Sequence, residues 1–194
     1  MTRITLLICL LVLISCRNEK VRQDFSVPEA NDINEIIKTI ISTDSLSNRL
    51  NSPLSADLTK IAIILKDTDT IPPPMGTSKL PIKWFVKGYG NKYFSQRDSS
   101  YLFFQNNVIP TFRLDSSFSK LIKLTTNDQV KGGRKHEVFF RYYEISLPIF
   151  SLDKKIAYVS IDYYCPLCGY GMAIFLKKIN GTWKIVMQKE AWVS

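Results

Sequence analysis

The sequence predicts an α+β domain, with helical pieces first and a run of consecutive antiparallel strands after them. Three observations carry that expectation. Residues 156–192 read as IAYVSIDYY, CPLCGYG, MAIFLKKI, NG and TWKIVMQKEAW, three strand-like runs separated by turn residues. Asn180-Gly181 is the strongest short hairpin signal, because a type I′ turn needs positive φ at both central residues. Near the N-terminus an isoleucine stripe has the helical period, so helix precedes sheet.

Each element follows from its own pattern. Ile33, Ile36, Ile37, Ile40 and Ile41 obey the i, i+3, i+4, i+7, i+8 rule and predict a helix over 28–43. Ser26 and Glu29 have capping-box spacing, and Pro28 suits a first turn. Ser55 and Asp57 are placed to open a short helical turn before residues 61–65, an apolar run too short to assign between strand and buried helix. Ile71-Pro72-Pro73-Pro74 dictates an extended polyproline connector. Ser95 and Asp98 have capping spacing for a second helix over 96–106. Leu114, Phe118, Leu121 and Leu124 are expected anchors in mixed short structure, and Gly132-Gly133 breaks the chain. The run VFFRYYEISLPIF (138–150) reads as a strand that Pro148 confines to an edge or bends. Residues 151–155 turn into the meander. There Ala157, Val159, Ile161 and Tyr163 alternate with Tyr158, Ser160, Asp162 and Tyr164. In the last strand Trp183, Ile185 and Met187 alternate with Lys184, Val186 and Gln188, so each strand is expected to bury one face.

The chain has 194 residues, 45% of them hydrophobic, enough for one domain with a sizeable core. No internal repeat is visible. The formal charge is +9, from 26 Lys and Arg against 17 Asp and Glu. Such a surplus can hold a protein near an acidic envelope component or protein partner, while charges as dispersed as these read first as a basic, solvated surface. Nucleic acid is not the expected partner, because the densest basic group, Lys131, Arg134 and Lys135, lies in a Gly-containing loop without interleaved aromatics.

The N-terminus is the most specific signal. MTRITLLICLLVLISC begins with a short segment carrying Arg3 and continues with an apolar run over 4–14. A spanning helix needs about 20 apolar residues, so this run is too short to be one and fits the apolar region of a secretory signal peptide. It ends in Leu13-Ile14-Ser15-Cys16, which resembles the lipobox of bacterial lipoproteins cut by signal peptidase II. The resemblance implies cleavage between Ser15 and Cys16, with the Cys16 thiol receiving diacylglycerol. Two or three acyl chains suffice for stable anchoring, whereas one gives marginal binding. Residues 1–15 are then a signal peptide, 16–26 (with the polar stretch RNEKVRQDFS) a tether, and 27–194 a single domain. Arg17 follows the cysteine instead of the aspartate that retains such proteins in the inner membrane of enterobacteria. The expected location is therefore the cell envelope, at the outer membrane, held there by lipid.

Cys9 leaves with the leader and Cys16 takes lipid, so Cys165 and Cys168 remain. Outside the cytoplasm two thiols at this spacing tend to oxidise. One reading is a structural disulfide pinning the turn between two strands. A second is redox, since C-x-x-C is the thioredoxin motif; there the first cysteine sits at a helix N-terminus, and here an apolar strand follows. A third is metal, since CPLCG resembles a rubredoxin or zinc-ribbon knuckle; a closed zinc site wants four ligands, and only His136 is left to add. The position between two strands favours the structural disulfide, with no metal and no cofactor expected.

The sequence lacks G-x-S-x-G, H-E-x-x-H, a P-loop and a dinucleotide fingerprint, which leaves no catalytic residue to name. His136 sits in a charged, Gly-containing loop. Glu144 and Asp162 lie within strands, and spacing alone does not bring them together. Tyr142, Tyr143, Tyr158, Tyr163, Tyr164 and Tyr170 crowd the C-terminal half, as half-exposed sheet positions attract. A sheet curled over helices is the nearest fold analogy, as in the NTF2-like and cystatin-like families. Taken whole, the chain resembles small lipoproteins of unassigned function from Bacteroidetes-type bacteria, through the leader and the series strand, Cys pair with Gly, strand, Asn-Gly-x-Trp, and a last strand ending Trp-Val-Ser. That resemblance implies no activity. Asp44-Ser45-Leu46 and Asp69-Thr70-Ile71 also resemble short O-glycosylation sites of such bacteria. The expectation is a lipid-anchored envelope protein with a binding or scaffolding domain; a thiol–disulfide enzyme using Cys165 and Cys168 is the alternative.

Overall fold

The isoleucine stripe is where the core begins. The computed structural model describes residues 25–43, 52–65, 79–108, 111–126, 128–130, 141–166 and 168–193. Helix α1 (Ala30–Ile41) buries Ile33, Ile36, Ile37, Ile40 and Ile41, as its period dictates. Its N-cap is Glu29 in extended conformation, with no side-chain cap, so the Ser26–Glu29 capping box does not form. Ser26 is engaged elsewhere, accepting from Lys154 Nζ at 2.6 Å through Oγ and from the Tyr101 hydroxyl at 3.0 Å through its carbonyl.

Short pieces follow: β1 (Leu54–Ser55), β2 (Ala62–Ile64), β3 (Lys79–Pro81) and helix α2 (Ile82–Val86). The expected helical turn at Ser55 and Asp57 is absent. Ser55 is in β1, and Asp57 bridges to Arg113 in an isolated antiparallel pair. The ambiguous apolar run 61–65 is strand, because β2 has β3 beside it as a parallel partner. Helix α3 (Ser99–Val108) is preceded by a 3-10 turn at Gln96–Asp98, and here the capping box does form. Ser95 N and Oγ both donate to Asp98 Oδ2, at 2.6 and 2.8 Å. After it come β4 (Leu124–Thr125), β5 (Tyr142–Ile145), β6 (Ile149–Phe150), β7 (Ile156–Tyr164), β8 (Tyr170–Ile179) and β9 (Thr182–Val193). The described part of the 138–150 run, residues 141–150, holds two short strands that both pair with β7, interrupted at Leu147 and Pro148. Of the four expected anchors, Leu114 and Phe118 are buried and Leu124 is partly so, while Leu121 is 51% exposed and its neighbour Ile122 is buried instead.

The main sheet has the order β4-β1-β5-β7-β8-β9, with β6 also pairing β7. The last three strands form the meander, closed at Asn180 and Gly181 with φ of 51° and 80°. The fold is α+β. Its N-terminal half, however, supplies strands as well as helices: β1 lies between β4 and β5, parallel to both.

Apolar layers cover the sheet on both sides. On one face α1 packs over Val159, Ile161, Ile174 and Trp183. On the other, Phe85 of α2, with Phe94 and Leu102, packs over Tyr158 and Phe175. Burial of a single face per strand therefore fails for β7 and β8, whose central positions are enclosed twice, as Ala157 to Val159 and Met172 to Leu176 show. In β9 the alternation also breaks. Ile185 pairs Leu176 while Met187 pairs Phe175, so a bulge at Val186 sends Met187 to the opposite layer from Trp183 and Ile185.

Candidate functional site

The far end of the meander, beside the cysteine turn, gathers the carboxylates that spacing left apart. In the β5–β7 ladder Glu144 is the register partner of Asp162, and Tyr142 of Tyr164. Side chains on directly opposed antiparallel positions share a face, about 4.5–5.5 Å apart at Cβ. The Tyr142 and Tyr164 rings stack at 5.0 Å. Thr59 Oγ1 reaches Glu144 Oε2 at 3.5 Å, and Ser160 Oγ donates to Asp162 Oδ2 at 3.2 Å.

A third strand joins through an indole. Trp192 Nε1 donates to Asp162 Oδ1 at 2.7 Å. Between β7 and β9 lies β8, and the residue it places there is Gly171, partner of both Asp162 and Trp192. A Cβ at Gly171 would lie 1.9 Å from Trp192 Nε1 and 2.6 Å from Asp162 Oδ1, so only glycine permits the bond. Reading the sequence by motif missed this link. The available signal was a glycine inside a strand pattern, which marks a close approach.

Electrostatics at this end favour held protons. Burial pushes the Asp162 carboxyl above the usual carboxylate range, against the hydrogen bonds from Trp192 and Ser160. Burial also raises the Tyr164 phenol, aided by the charges of Glu144 and Asp162. On the opposite face Tyr143, Tyr163 and Tyr170 form a second aromatic group, with Tyr143 and Tyr163 rings 4.6 Å apart and the Tyr143 and Tyr170 hydroxyls at 3.2 Å.

Cys165 and Cys168 sit in the turn from β7 to β8 and are joined by a disulfide, with Cα atoms 5.4 Å apart. Cys165 is half-buried and Cys168 exposed. Strands flank the pair on both sides, so no helix N-terminus is present to stabilise a thiolate. Among the described residues no group of three or more His, Cys, Asp or Glu is placed to hold a metal. Ser15, Cys16, Lys131, Arg134, Lys135, His136, Ser45, Thr70 and the 71–74 connector lie outside the described residues. Among the described residues no helix is long and apolar enough to cross a membrane.

What this end offers chemically is a pair of carboxyl groups engaged with Thr59, Ser160 and Trp192, with tyrosine and indole surfaces alongside. The chain matches no family model, no curated protein and no solved structure.

Proposed function

We propose that the chain is a lipid-anchored lipoprotein of the bacterial cell envelope, at the outer membrane, whose domain binds or scaffolds without catalysis. The observation that carries the anchor is the leader itself: Arg3, an apolar run over 4–14, and Ser15 before Cys16. The binding role is supported by the carboxylate and aromatic end formed by Glu144, Asp162, Tyr164 and Trp192. The partner is an acidic envelope component or a protein, a reading supported by the surplus of Lys and Arg and not by the carboxylate end.

Metabolic labelling with radioactive palmitate tests the anchor. The wild-type chain incorporates label and Cys16→Ala does not; equal labelling refutes the reading. The exposure of residue Cys168 is the one observation favouring a thiol–disulfide enzyme instead. That reading requires thiol–disulfide exchange on a reduced substrate, lost in Cys165→Ser, and its absence from the purified protein ends it.

A further inference from the structure

We infer that the cleft between residues 91–98 and residues 151–156 is a binding site for a neutral saccharide. Tyr93 stacks on the sugar ring, and Asn91, Arg97 and Asp153 hydrogen-bond its hydroxyls. The inference goes beyond the envelope role proposed above, and neither the lipid anchor nor the carboxylate end of the sheet enters it.

The cleft is built before any ligand arrives. Its walls are two segments distant in sequence, joined by a buried carboxylate. Asp98 is 7% exposed; Oδ2 accepts from Ser95 N and Oγ, and Oδ1 accepts from the Leu152 amide at 2.7 Å. Ser151, also buried, donates through Oγ to Asp153 Oδ1 at 2.7 Å and accepts from the Ile156 amide at 3.0 Å. Phe94 anchors the first segment, its ring 5.1 Å from that of Phe85. The space between the walls is about 450 Å³. That lies within the roughly 300–1,000 Å³ of sites that take small molecules.

Three features of the lining select the ligand. The first is charge: Lys92 and Arg97 stand against Asp98 and Asp153, so the lining carries no net charge. A ligand ion of either sign meets repulsion as well as attraction there, which favours an uncharged polar molecule. The second is Tyr93. Phe175 takes one face of its ring, at 4.6 Å and 24° between planes, and the half-buried ring lines the cleft with the rest. The C–H face of a pyranose is apolar and weakly positive, the complement of the negative face of an aromatic ring. A nucleobase is better held between two rings, and the cleft's other aromatic residue, Phe94, is only 1% exposed. The third is hydrogen bonding. Asn91 and Arg97 are exposed, and among the described residues neither side chain has a hydrogen-bond or ion-pair partner. Asp153 accepts from Ser151 and from the Lys155 amide through Oδ1, which leaves Oδ2 for a ligand. An amide, a guanidinium and a carboxylate set donors beside acceptors. A vicinal diol, whose hydroxyls each donate and accept, matches that arrangement.

The test is an NMR titration of the isotope-labelled full chain, held in a sugar-free detergent. The neutral probes are maltotetraose, cellotetraose, mannotetraose and chitotetraose; tetragalacturonate and the glucosamine tetramer are the charged controls. At least one neutral probe should bind with a Kd of about 1 mM or tighter. It should shift the amides of 91–98 and 151–156, leave Gly171 and the Trp192 indole unmoved, and persist at high salt. Arg97→Ala alters an exposed side chain and should weaken binding about tenfold with the fold intact. Tyr93→Ala, checked for folding by circular dichroism, should weaken it by a similar factor; if that variant unfolds, Arg97→Ala and Asn91→Ala decide. Absence of cleft shifts with every neutral probe overturns the proposal, as do equal shifts with the charged controls or undiminished binding in both Arg97→Ala and Asn91→Ala. Shifts gathered at Gly171 and Trp192 instead overturn the cleft and move saccharide binding to the carboxylate end.

Discussion

Trp192 on the last strand is hydrogen-bonded at 2.7 Å to Asp162 two strands away, across the bare backbone of Gly171. Three strands are tied there by one side-chain bond that a single methyl group would block. Gly171→Ala should therefore break the bond and destabilise the fold by about 1–3 kcal/mol. Chemical denaturation monitored by circular dichroism checks it. Unchanged stability, with the indole still hydrogen-bonded, would show that β8 shifts to make room.

The pH dependence of two aspartates should have opposite signs. Asp162 is held above its ordinary value by burial, so its ionisation opposes folding. Its effect is absent at pH below the ordinary carboxylate value and grows as pH rises through the folded one. Asp162→Asn keeps an acceptor for Trp192 and removes that effect, so the variant gains stability relative to wild type between acid and neutral pH. Denaturation midpoints across that range decide it; a constant difference counts against the argument.

Asp32 runs the other way. Burial alone would raise its carboxyl, but hydrogen bonds from Lys178 at 2.5 Å and Trp183 at 3.0 Å, with the Lys178 charge, hold it below the usual range. Its contribution is present above the ordinary value and is lost as pH falls through the folded one. Asp32→Ala leaves a buried indole N–H and a lysine without their acceptor, a cost of about 1–3 kcal/mol at neutral pH that shrinks in strong acid.

Gln105 holds both backbone groups of one strand residue, Phe150. Its Oε1 accepts from the Phe150 amide and its Nε2 donates to the Phe150 carbonyl, each at 2.9 Å and buried. Gln105→Leu should strand both groups of β6 and cost about 2–4 kcal/mol, read as a lower midpoint in denaturant. Gln105→Glu, which retains one acceptor, should lose less if protonated at low pH.

Removal of the Cys165–Cys168 cross-link should be mild. It closes four residues, and the chain-entropy account gives such a loop about 2 kcal/mol. Cys165→Ser with Cys168→Ser should lower the midpoint by no more than that and leave β7–β8 pairing intact in amide exchange.

Much of this architecture is legible in the sequence wherever one local rule suffices. The α1 stripe, the Ser95–Asp98 cap and the Asn180-Gly181 turn each depend on residues within a few positions of one another. Failures occur where distant chain segments decide. Tyr158 looks like an outward position until Phe85 of α2 covers it at a ring distance of 5.3 Å. Met187 keeps an inward phase on paper until the Val186 bulge shifts it. The pairing of Glu144 with Asp162 needed the β5–β7 register, which no spacing rule within either strand contains. Helix α2 was invisible because five residues are too few to show a period.

The placement of β1 has a consequence for how the molecule is made. Leu54 is seated between Leu124 on one side and Tyr143 on the other, so an early segment depends on two late ones for its backbone partners. A ribosome delivers the chain from its amino end. Leu54 has neither strand partner until Leu124 and then Tyr143 have been made. The hairpins of β7, β8 and β9 can zip locally on arrival, and the vacant slot beside β5 then fixes the moment at which the first half of the protein is captured.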